Sequence, residues 1–135
     1  MPRKKSKPPG VDATLARSGG LSYLEIPARD LRESAMFYEK VLGWKLPGKR
    51  TDPSKFADPT GHLIGRFVTG RATGGDAGML PYFYVDRMAA AITMTPKCKG
   101  KILRAPYAEG NLRIALLRDP AGNTLGIWKE ADPPS

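Results

Sequence analysis

The sequence predicts an α+β fold made of two copies of one βαβββ module. The first observation behind this is a repeated turn, in which Asp58-Pro59-Thr60-Gly61 recurs as Asp119-Pro120-Ala121-Gly122. In such a turn proline fixes φ, glycine supplies a positive φ, and aspartate can bond the backbone ahead of it. The second observation is the apolar, strand-like run that follows each copy. The third is the strand and helix-start signal that precede each copy in the same order, which indicates a duplicated supersecondary unit.

Composition limits the class of protein. The chain has 135 residues, 41% apolar and 26% charged, as expected for one globular domain or two small fused modules. Its single cysteine, Cys98, excludes an internal disulfide and fits a reducing, cytoplasmic location. No apolar run approaches the ~20 residues of a membrane span, and no apolar stretch follows the basic first residues as in a secretory signal. We therefore expect a cytoplasmic protein with no membrane partner.

Residues 1–20 are predicted to be a disordered basic tail, and 131–135 a short C-terminal tail. The first segment is rich in Pro, Gly and Lys and carries five basic residues against one acidic, a net +4 of the chain's +9. An alternative interpretation is an arm that binds nucleic acid or an acidic partner. We expect no nucleic-acid partner, since the body of the chain adds no such motif. The remaining +5 would favour an anionic ligand through long-range steering.

The first module covers residues 21–68 and starts with a strand over 21–27, because alternate residues there are apolar. Asp30 has the type and position of a helix N-cap, and Gly43 those of the glycine that ends the helix. Glu33 is predicted to complete a capping box with Asp30. One face of the helix is predicted to carry Leu31, Ala35, Tyr38 and Leu42. After the helix we predict a short strand at Trp44–Leu46, a loop over 47–55 and strands on both sides of the Asp58 turn.

A glycine-rich linker over 69–78 separates this module from the second, which covers 79–130. Asp86 is predicted to cap the second helix, and Gly100 lies 14 residues later, much as Gly43 lies 13 after Asp30. The other predicted elements are a strand over Leu80–Val85, a helix with Met88, Ala91 and Ile92 inward that Pro96 ends or bends, strands over 101–105 and 112–118 around a turn at Glu109–Asn111, and a last strand over 124–129.

Three stretches carry a resemblance to a known family: Glu25-Ile26-Pro27 with Asp30-Leu31, Ser34, Phe37-Tyr38 and Leu42-Gly43-Trp44; Val85-Asp86; and Asp119-Pro120-Ala121-Gly122-Asn123. With these residues, the chain over 21–130 resembles a single domain of the vicinal oxygen chelate superfamily. That superfamily includes glyoxalase I, bleomycin-resistance proteins, extradiol dioxygenases and fosfomycin-resistance enzymes. The resemblance implies that the two modules form a curved mixed sheet around a cleft, and that the protein is a homodimer.

Metal-dependent members of the superfamily bind one divalent ion with His and Glu side chains on concave strand faces. The corresponding positions here are Tyr23, Gly65, Leu80 and Gly126, none of which offers a plausible ligand. A tyrosine phenol is a poor donor until it ionises, near pH ~10. The chain's one histidine, His62, is better explained as a residue beside the turn than as a shifted ligand. We therefore predict that the protein has no metal cofactor.

Without an ion, the expected cleft is a mostly apolar pocket with a few polar groups. Glu25 is a candidate to bind ligand or act as a base, or else a carboxylate paired with a strand arginine or solvated. The aromatics would line the pocket, or pack on each other or across a dimer interface. Strand alternation places on the concave face Tyr23, Glu25, Leu63, Gly65, Phe67, Leu80, Tyr82, Tyr84, Thr124, Gly126 and Trp128, with the two glycines opening room in the floor. The predicted ligand-binding residues are Tyr23, Glu25, Phe67, Tyr82, Tyr84 and Trp128.

Three hypotheses follow for function. The first is a glyoxalase/bleomycin-resistance-like protein, free of metal, that binds a small apolar, aromatic or anionic molecule in the cleft. The second is a metal-dependent lyase, isomerase or dioxygenase of the same superfamily with non-standard ligands. The third is an interaction module that uses its basic tail. Whether the protein is an enzyme stays open, and Cys98 between Lys97 and Lys99 is either a thiol of lowered pKa or an incidental one.

Overall fold

A computed structural model describes residues 13–132 and contains two mixed sheets and two helices. The three-stranded sheet has the order β1-β3-β2 and the four-stranded sheet the order β4-β7-β6-β5. In each sheet the first strand of a module runs parallel to the last, which confirms the α+β prediction of two related modules. The elements are β1 (Tyr23–Pro27), α1 (Leu31–Leu42), β2 (Lys55–Ala57), β3 (Ile64–Val68), β4 (Tyr82–Tyr84), α2 (Met88–Lys97), β5 (Lys101–Glu109), β6 (Leu112–Arg118) and β7 (Thr124–Glu130).

Helix α1 begins and ends as its sequence predicts. The Asp30 carboxylate accepts a hydrogen bond from the Glu33 backbone N–H at 3.0 Å, and Gly43 has the left-handed φ of 75° that favours glycine. The capping box is only half formed, because the Glu33 carboxylate pairs with Arg29 and Lys99 instead. The predicted strand at Trp44–Leu46 is reduced to one bridge between Lys45 and Ala57.

Helix α2 differs from the prediction at both ends. Its N-cap is Arg87, one residue after Asp86, and no side chain caps it. At the other end the left-handed residue is Lys99, with φ 67°, and not Gly100. Gly100 serves a different purpose, because a Cβ there would lie 2.4 Å from Cε1 of Phe37. Pro96 lies within the last turn, where the helix tolerates it.

One hydrophobic core spans both modules. Its centre is a chain of ring contacts in which Trp44 stacks on Tyr38 and Phe56 with centroid distances of 4.7 and 4.6 Å. Trp44 also meets Phe83 of the second module edge-to-face at 5.5 Å. Burying each such side chain contributes about 1.5–3 kcal/mol, so these aromatics bind the two modules into one folding unit.

No helix or strand forms between β3 and β4, where the linker over 69–78 was predicted. Asp76 of this segment pairs with Arg118 at 2.5 Å, and Gly75 accepts a hydrogen bond from the Thr124 hydroxyl at 2.7 Å. The linker is therefore tied to the second sheet.

Residues 13–20, predicted to belong to a disordered tail, form turns in which the Arg17 guanidinium bonds the carbonyl oxygens of Thr14, Leu21 and His62. The rest of that tail, 1–12, and the last three residues of the predicted C-terminal tail lie outside the described residues. Within 13–132 no helix has the length and hydrophobicity to cross a membrane.

Candidate functional site

Each sheet has one face against the core and one turned away from it, which we call the open face. On the first sheet the open face carries Tyr23 and Glu25 of β1; on the second it carries Tyr82 and Tyr84 of β4 and Trp128 of β7. Tyr23, Tyr82 and Tyr84 are 45–51% exposed, whereas Trp128 is partly buried. Five of the six predicted ligand-binding residues thus lie on one kind of surface, and whether they bind a ligand stays a prediction.

The placement of Phe67 on that surface is wrong. Strand β3 is parallel to β1 with Ile64 opposite Tyr23 and Phe67 opposite Ile26. Phe67 is 1% exposed and packs between Tyr38 and Phe56, with centroid distances of 5.5 and 4.9 Å. A shift of one residue moves every side chain of a strand to the other face. The open face of β3 consists of Ile64, Arg66 and Val68, and the residues wrongly placed there were Leu63, Gly65 and Phe67.

Gly65 and Gly126 were expected to open room in the floor of a cleft, but neither does so. Gly65 belongs to the core face, where a Cβ would lie 2.4 Å from Cζ of Phe56 and 1.9 Å from the Leu24 carbonyl oxygen. Gly126 does lie on the open face, but the ring of Tyr82 covers it, since a Cβ there would lie 2.4 Å from Cδ2 of that ring. Both glycines leave room for an aromatic side chain of a neighbouring strand.

The open-face aromatics also contact one another. Tyr84 and Trp128 meet edge-to-face with centroids 5.0 Å apart, and the Tyr84 hydroxyl donates to Oε1 of Glu130 at 3.2 Å. Desolvation and then the Glu130 carboxylate raise the pKa of Tyr84. On β5 the Arg104 guanidinium lies 3.5 Å from the ring centroid of Tyr107, a close cation–π contact. Tyr84 and Trp128 therefore pack on each other, as one of the two interpretations of the aromatics expects, whereas Tyr82 packs over Gly126.

A concave site lies at the junction of the two modules, and we call it the seam groove. It has a volume of about 560 Å³ and is bounded by β1, the end of the linker with the segment before β4, and the start of β7. Of the predicted ligand-binding residues only Glu25 lines it. The complete lining is Leu21, Leu24, Glu25, Ile26, Pro27, Tyr38, Gly74, Gly75, Ala77, Met79, Leu80, Pro81, Phe83, Asn123, Thr124 and Leu125.

Sequence reasoning missed most of this lining. Alternation along one strand predicts a face of one sheet, whereas the seam groove collects single residues from segments far apart in the chain. Phe83, between two open-face tyrosines, points to the core side and reaches the groove from there. The one available signal was the second turn, whose Asn123 and Thr124 lie at the groove wall.

A buried polar network closes one end of the seam groove. The Tyr38 hydroxyl donates to Oδ2 of Asp119 at 2.9 Å, and Asn123 Nδ2 donates to the same oxygen and to the Pro27 carbonyl, both at 2.7 Å. Asp119 is 3% exposed, and this burial raises the pKa of its carboxyl although several donors act in the opposite direction. Burial and the neighbouring Asp119 raise the pKa of Tyr38 well above its ordinary value. The network therefore holds a neutral phenol against the turn.

A second cavity, of about 480 Å³, lies at the junction between the C-terminal end of α1 and the start of α2. Its lining includes the predicted site residue Tyr84, with Trp44 and Phe83 as further aromatics and Lys40 and Arg87 as basic residues. Tyr23, Phe67, Tyr82 and Trp128 line neither cavity. The predicted set is therefore divided among the open face, the core and two cavities.

The residues at the superfamily's metal positions do not fit a metal ion. Tyr23 and Gly126 are on the open face, Gly65 faces the core, and Leu80 lies before the start of β4. Ile64 and Arg66, which do share a face with Tyr23, are no better as ligands. Within 13–132 no group of three or more His, Cys, Asp or Glu side chains is close enough together to hold a metal ion. His62 is exposed on the turn before β3.

The structure explains Cys98 and two of the arginines on the strands. Cys98 is 5% exposed, and this desolvation raises the pKa of its thiol despite the opposing charge of Lys40. A thiol of raised pKa is a poor nucleophile, so the interpretation as an incidental thiol holds. Among the strand arginines, Arg118 pairs with Asp76, and Arg66 donates to the Ser54 hydroxyl at 3.3 Å.

Residues 20–127 match the model of the Glyoxalase/Bleomycin resistance protein/Dioxygenase superfamily. The chain therefore belongs to this superfamily, which confirms the resemblance. No similar protein was found among those with curated functions.

Solved structures of the same fold come from several bacteria. A glyoxalase/bleomycin resistance protein from Albidiferax ferrireducens T118 is 24% identical, with a TM-score of 0.65 over 84% of this chain and 98% of that one. An enzyme of the glyoxalase/bleomycin resistance protein/dioxygenase family from Burkholderia phytofirmans PsJN is also 24% identical, with a TM-score of 0.60 over 79% of this chain and 95% of that one. TnmS3, an antibiotic binding protein from Streptomyces sp. CB03234, is 17% identical, with a TM-score of 0.63 over 84% of this chain and 97% of that one. These likenesses establish the fold.

Proposed function

We propose that this protein binds a small, mainly apolar or aromatic molecule in the seam groove without the help of a metal ion. The observation that carries the proposal is the groove itself, whose volume of about 560 Å³ is that of a small-molecule site and whose lining is mostly aliphatic and aromatic. Both modules contribute to it, so the duplicated fold is what creates the site. TnmS3, with the same fold, is described as an antibiotic binding protein, which supports a binding role for this architecture.

The predicted ligand classes differ in how well the seam groove suits them. Apolar and aromatic ligands fit the lining directly. An anionic ligand would gain from the chain's net charge of +9, but no lysine or arginine lines the described groove. The basic groups that could meet an anion lie elsewhere, at Arg66 and Arg104 on the open faces and at Lys40 and Arg87 in the second cavity.

We further propose that the protein is a cytoplasmic homodimer in which the partner covers the open faces. Tyr23, Ile64, Tyr82 and Tyr84 are 39–51% exposed on these faces, and contiguous exposed apolar surface is typical of protein–protein contact sites. The mass in solution tests this, by light scattering of the eluted protein. We expect twice the chain mass for the wild type and a shift to the monomer mass in Tyr82→Lys; a wild-type monomer overturns the dimer.

Metal analysis and ligand screening together test the binding proposal. We expect untagged protein purified without chelator to contain almost no Zn, Ni, Mn or Fe by elemental mass spectrometry. We expect Ala77→Phe, which fills the seam groove, to abolish the thermal shifts caused by small aromatic molecules. Ala89→Phe, an equal change on an exposed helix position outside both cavities, should keep them. Stoichiometric metal that survives dialysis would instead favour a metal-dependent enzyme.

A further inference from the structure

We propose that the seam groove binds its ligand through the free backbone edge of β1, and that this ligand is a small peptide-like molecule. The inference rests on the proposed binding function and names the chemical class of its ligand. Strand β1 is at the end of the first sheet and has a neighbour, β3, on one side only. Backbone N–H and C=O groups on the other side of such a strand have no partner in the sheet and can bond an added extended segment.

The hydrogen bonds at the two ends of β1 show which of its residues bond β3. The Ser22 C=O accepts from the Ile64 N–H at 3.0 Å, and the Ala28 N–H donates to the Val68 C=O at 2.8 Å. In a parallel pair, alternate residues bond the neighbouring strand with both backbone groups, and the residues between them point away from it. The even-numbered residues of β1 therefore face β3, and the odd-numbered residues direct their backbone groups to the free edge.

Three residues have this outward orientation, and one of them is available in the groove. Tyr23 lies outside the described lining. Pro27 has no N–H, and its C=O accepts from Asn123 Nδ2 at 2.7 Å. Glu25 lines the groove, and within residues 13–132 its outward N–H and C=O have no hydrogen-bond partner. Its backbone therefore offers a donor and an acceptor side by side.

The composition of the groove wall agrees with this geometry. Leu24 and Ile26 pack their side chains against the core, whereas the side chain of Glu25 lies on the open face. All three residues nevertheless line the groove. What they share on this side is the edge of the strand, so the groove runs along the backbone of β1. The proposal therefore requires the backbone of Glu25 and not its carboxylate.

The polar side chains of the groove already have partners within the protein. The Tyr38 hydroxyl donates to Asp119, and Asn123 Nδ2 donates to the same carboxylate. The Thr124 hydroxyl donates to the Gly75 carbonyl oxygen. These side chains hold the wall of the groove together, and they leave the recognition of a polar ligand to the backbone.

A short peptide-like molecule matches both the edge and the apolar lining. One of its residues forms two hydrogen bonds with the N–H and C=O of Glu25, as in a closely spaced pair of antiparallel strands. Successive side chains of an extended chain point to opposite faces. The two residues beside the bonded one therefore direct their side chains to the core side of the edge, where Leu24, Ile26 and Phe83 line the groove. About three residues with apolar ends meet these requirements.

Two uncharged probes that differ in one atom test the backbone contact. The first is N-acetyl-leucyl-glycyl-leucinamide, and the second is its ester analogue, with glycolic acid in place of glycine. We expect the amide to bind about tenfold tighter, because the ester has no N–H for the Glu25 C=O. Dissociation constants come from NMR titration of nitrogen-15-labelled protein. The Glu25 amide signal should shift on binding, and its hydrogen exchange should be fast in the free protein and slower in the complex.

Two proline variants test the same contact from the side of the protein. Glu25→Pro removes the outward N–H without removing a bond to β3, as Pro27 already does, and should lower the affinity for the amide probe about tenfold. Lys55→Pro is the matched control on β2, outside the groove, and should leave this affinity unchanged. Lys55 has the same outward phase, because Ala57, two residues later, directs its backbone away from β3 and bonds Lys45. Urea unfolding checks that both variants fold; if Glu25→Pro does not, the comparison of amide and ester decides.

The outcomes distinguish this inference from the binding function on which it rests. If the ester binds as tightly as the amide and Ala77→Phe removes both, the edge is not used, and the small-molecule function stands without the inference. If the Glu25 amide exchanges slowly in the free protein, another segment or a second copy already covers the edge, and the inference is wrong. If neither these probes nor the aromatic molecules bind, both the inference and the proposed site are wrong.

Discussion

The two copies of the Asp-Pro-x-Gly turn have nearly the same sequence but differ by one residue in structure. In the second turn the Asp119 N–H donates to the Asn123 carbonyl oxygen, whereas in the first the Asp58 N–H donates to the carbonyl oxygen of Leu63. By position in the motif Asn123 corresponds to His62, so the first turn closes one residue later. Every residue after it is therefore on the opposite face from its counterpart, which is why Gly65 faces the core and Gly126 the open face.

The same comparison extends to how deeply each turn is buried. Asp119 is 3% exposed, and its Oδ1 accepts from the N–H groups of Ala121, Gly122 and Asn123 at 2.9–3.0 Å. Asp58 is only partly buried, and its carboxylate bonds residues of its own turn. Only Asp119 is reached by a side chain from the other module, that of Tyr38. The second turn thus joins the modules at the seam groove, whereas the carboxylate of the first turn bonds residues of that turn.

Shortening the first turn should have the largest effect. Deletion of His62 would close this turn as the second one closes and would turn Phe67 from the core to the open face. We expect a loss of about 4 kcal/mol or more, typical of losing a large core side chain, or failure to fold. His62→Asn copies the residue of the second turn without changing its length and should stay within about 0.5 kcal/mol of the wild type in urea unfolding. A stable deletion protein would contradict the one-residue difference.

Removing each turn's carboxylate should have unequal effects. Asp119→Ala leaves the Tyr38 hydroxyl and several N–H groups without an acceptor in a buried place, and we expect a loss of about 3 kcal/mol. Asp58→Ala should lose about 1 kcal/mol, because water can replace the carboxylate at the more exposed turn. Both free energies come from urea unfolding with fixed m-values. Equal losses would mean that Asp119 does not join the modules.

The pKa values of Asp119 and Asp76 should shift in opposite directions, because one carboxyl is buried and the other forms an exposed ion pair. Burial raises its pKa in the folded protein, so the contribution of this carboxyl to stability is greatest at low pH and falls as the pH rises through the folded pKa. Asp76 behaves in the opposite way, since the hydrogen bond and charge of Arg118 lower its pKa. Its contribution is present above the unfolded pKa and is lost as the pH falls through the folded one. Titration followed by carbon-13 NMR should give a pKa above the ordinary 3.8 for the Asp119 carboxyl and a pKa below 3.8 for the Asp76 carboxyl. The reverse order of the two pKa values would contradict this prediction.

A structural feature of this protein could be predicted from the sequence when the residues that determine it are close together in the chain. The element order, the Asp30 cap and the Gly43 helix end were predictable, because each depends on residues within one turn of chain. The face of Phe67 was not, because it depends on the length of a turn whose sequence matches a shorter one. The seam groove was not predictable either, since Leu24, Met79 and Thr124 meet there only after both modules have folded.

The ends of the two helices give the smallest and last test of the comparison between modules. Gly43 ends α1 with a left-handed φ at no steric cost, whereas α2 requires Lys99 to adopt φ 67°. Lys99→Gly should stabilise the protein by about 0.5 kcal/mol. Glycine removes the strain of the left-handed backbone, and this gain exceeds the loss of the weak, exposed ion pair between Lys99 and Glu33. Lys97→Gly, the same change within the helix, should instead cost about 0.5–1 kcal/mol. If both substitutions destabilise equally in thermal unfolding, the ion pair of Lys99 contributes more than its backbone costs, and the second module has replaced a glycine with a useful charge.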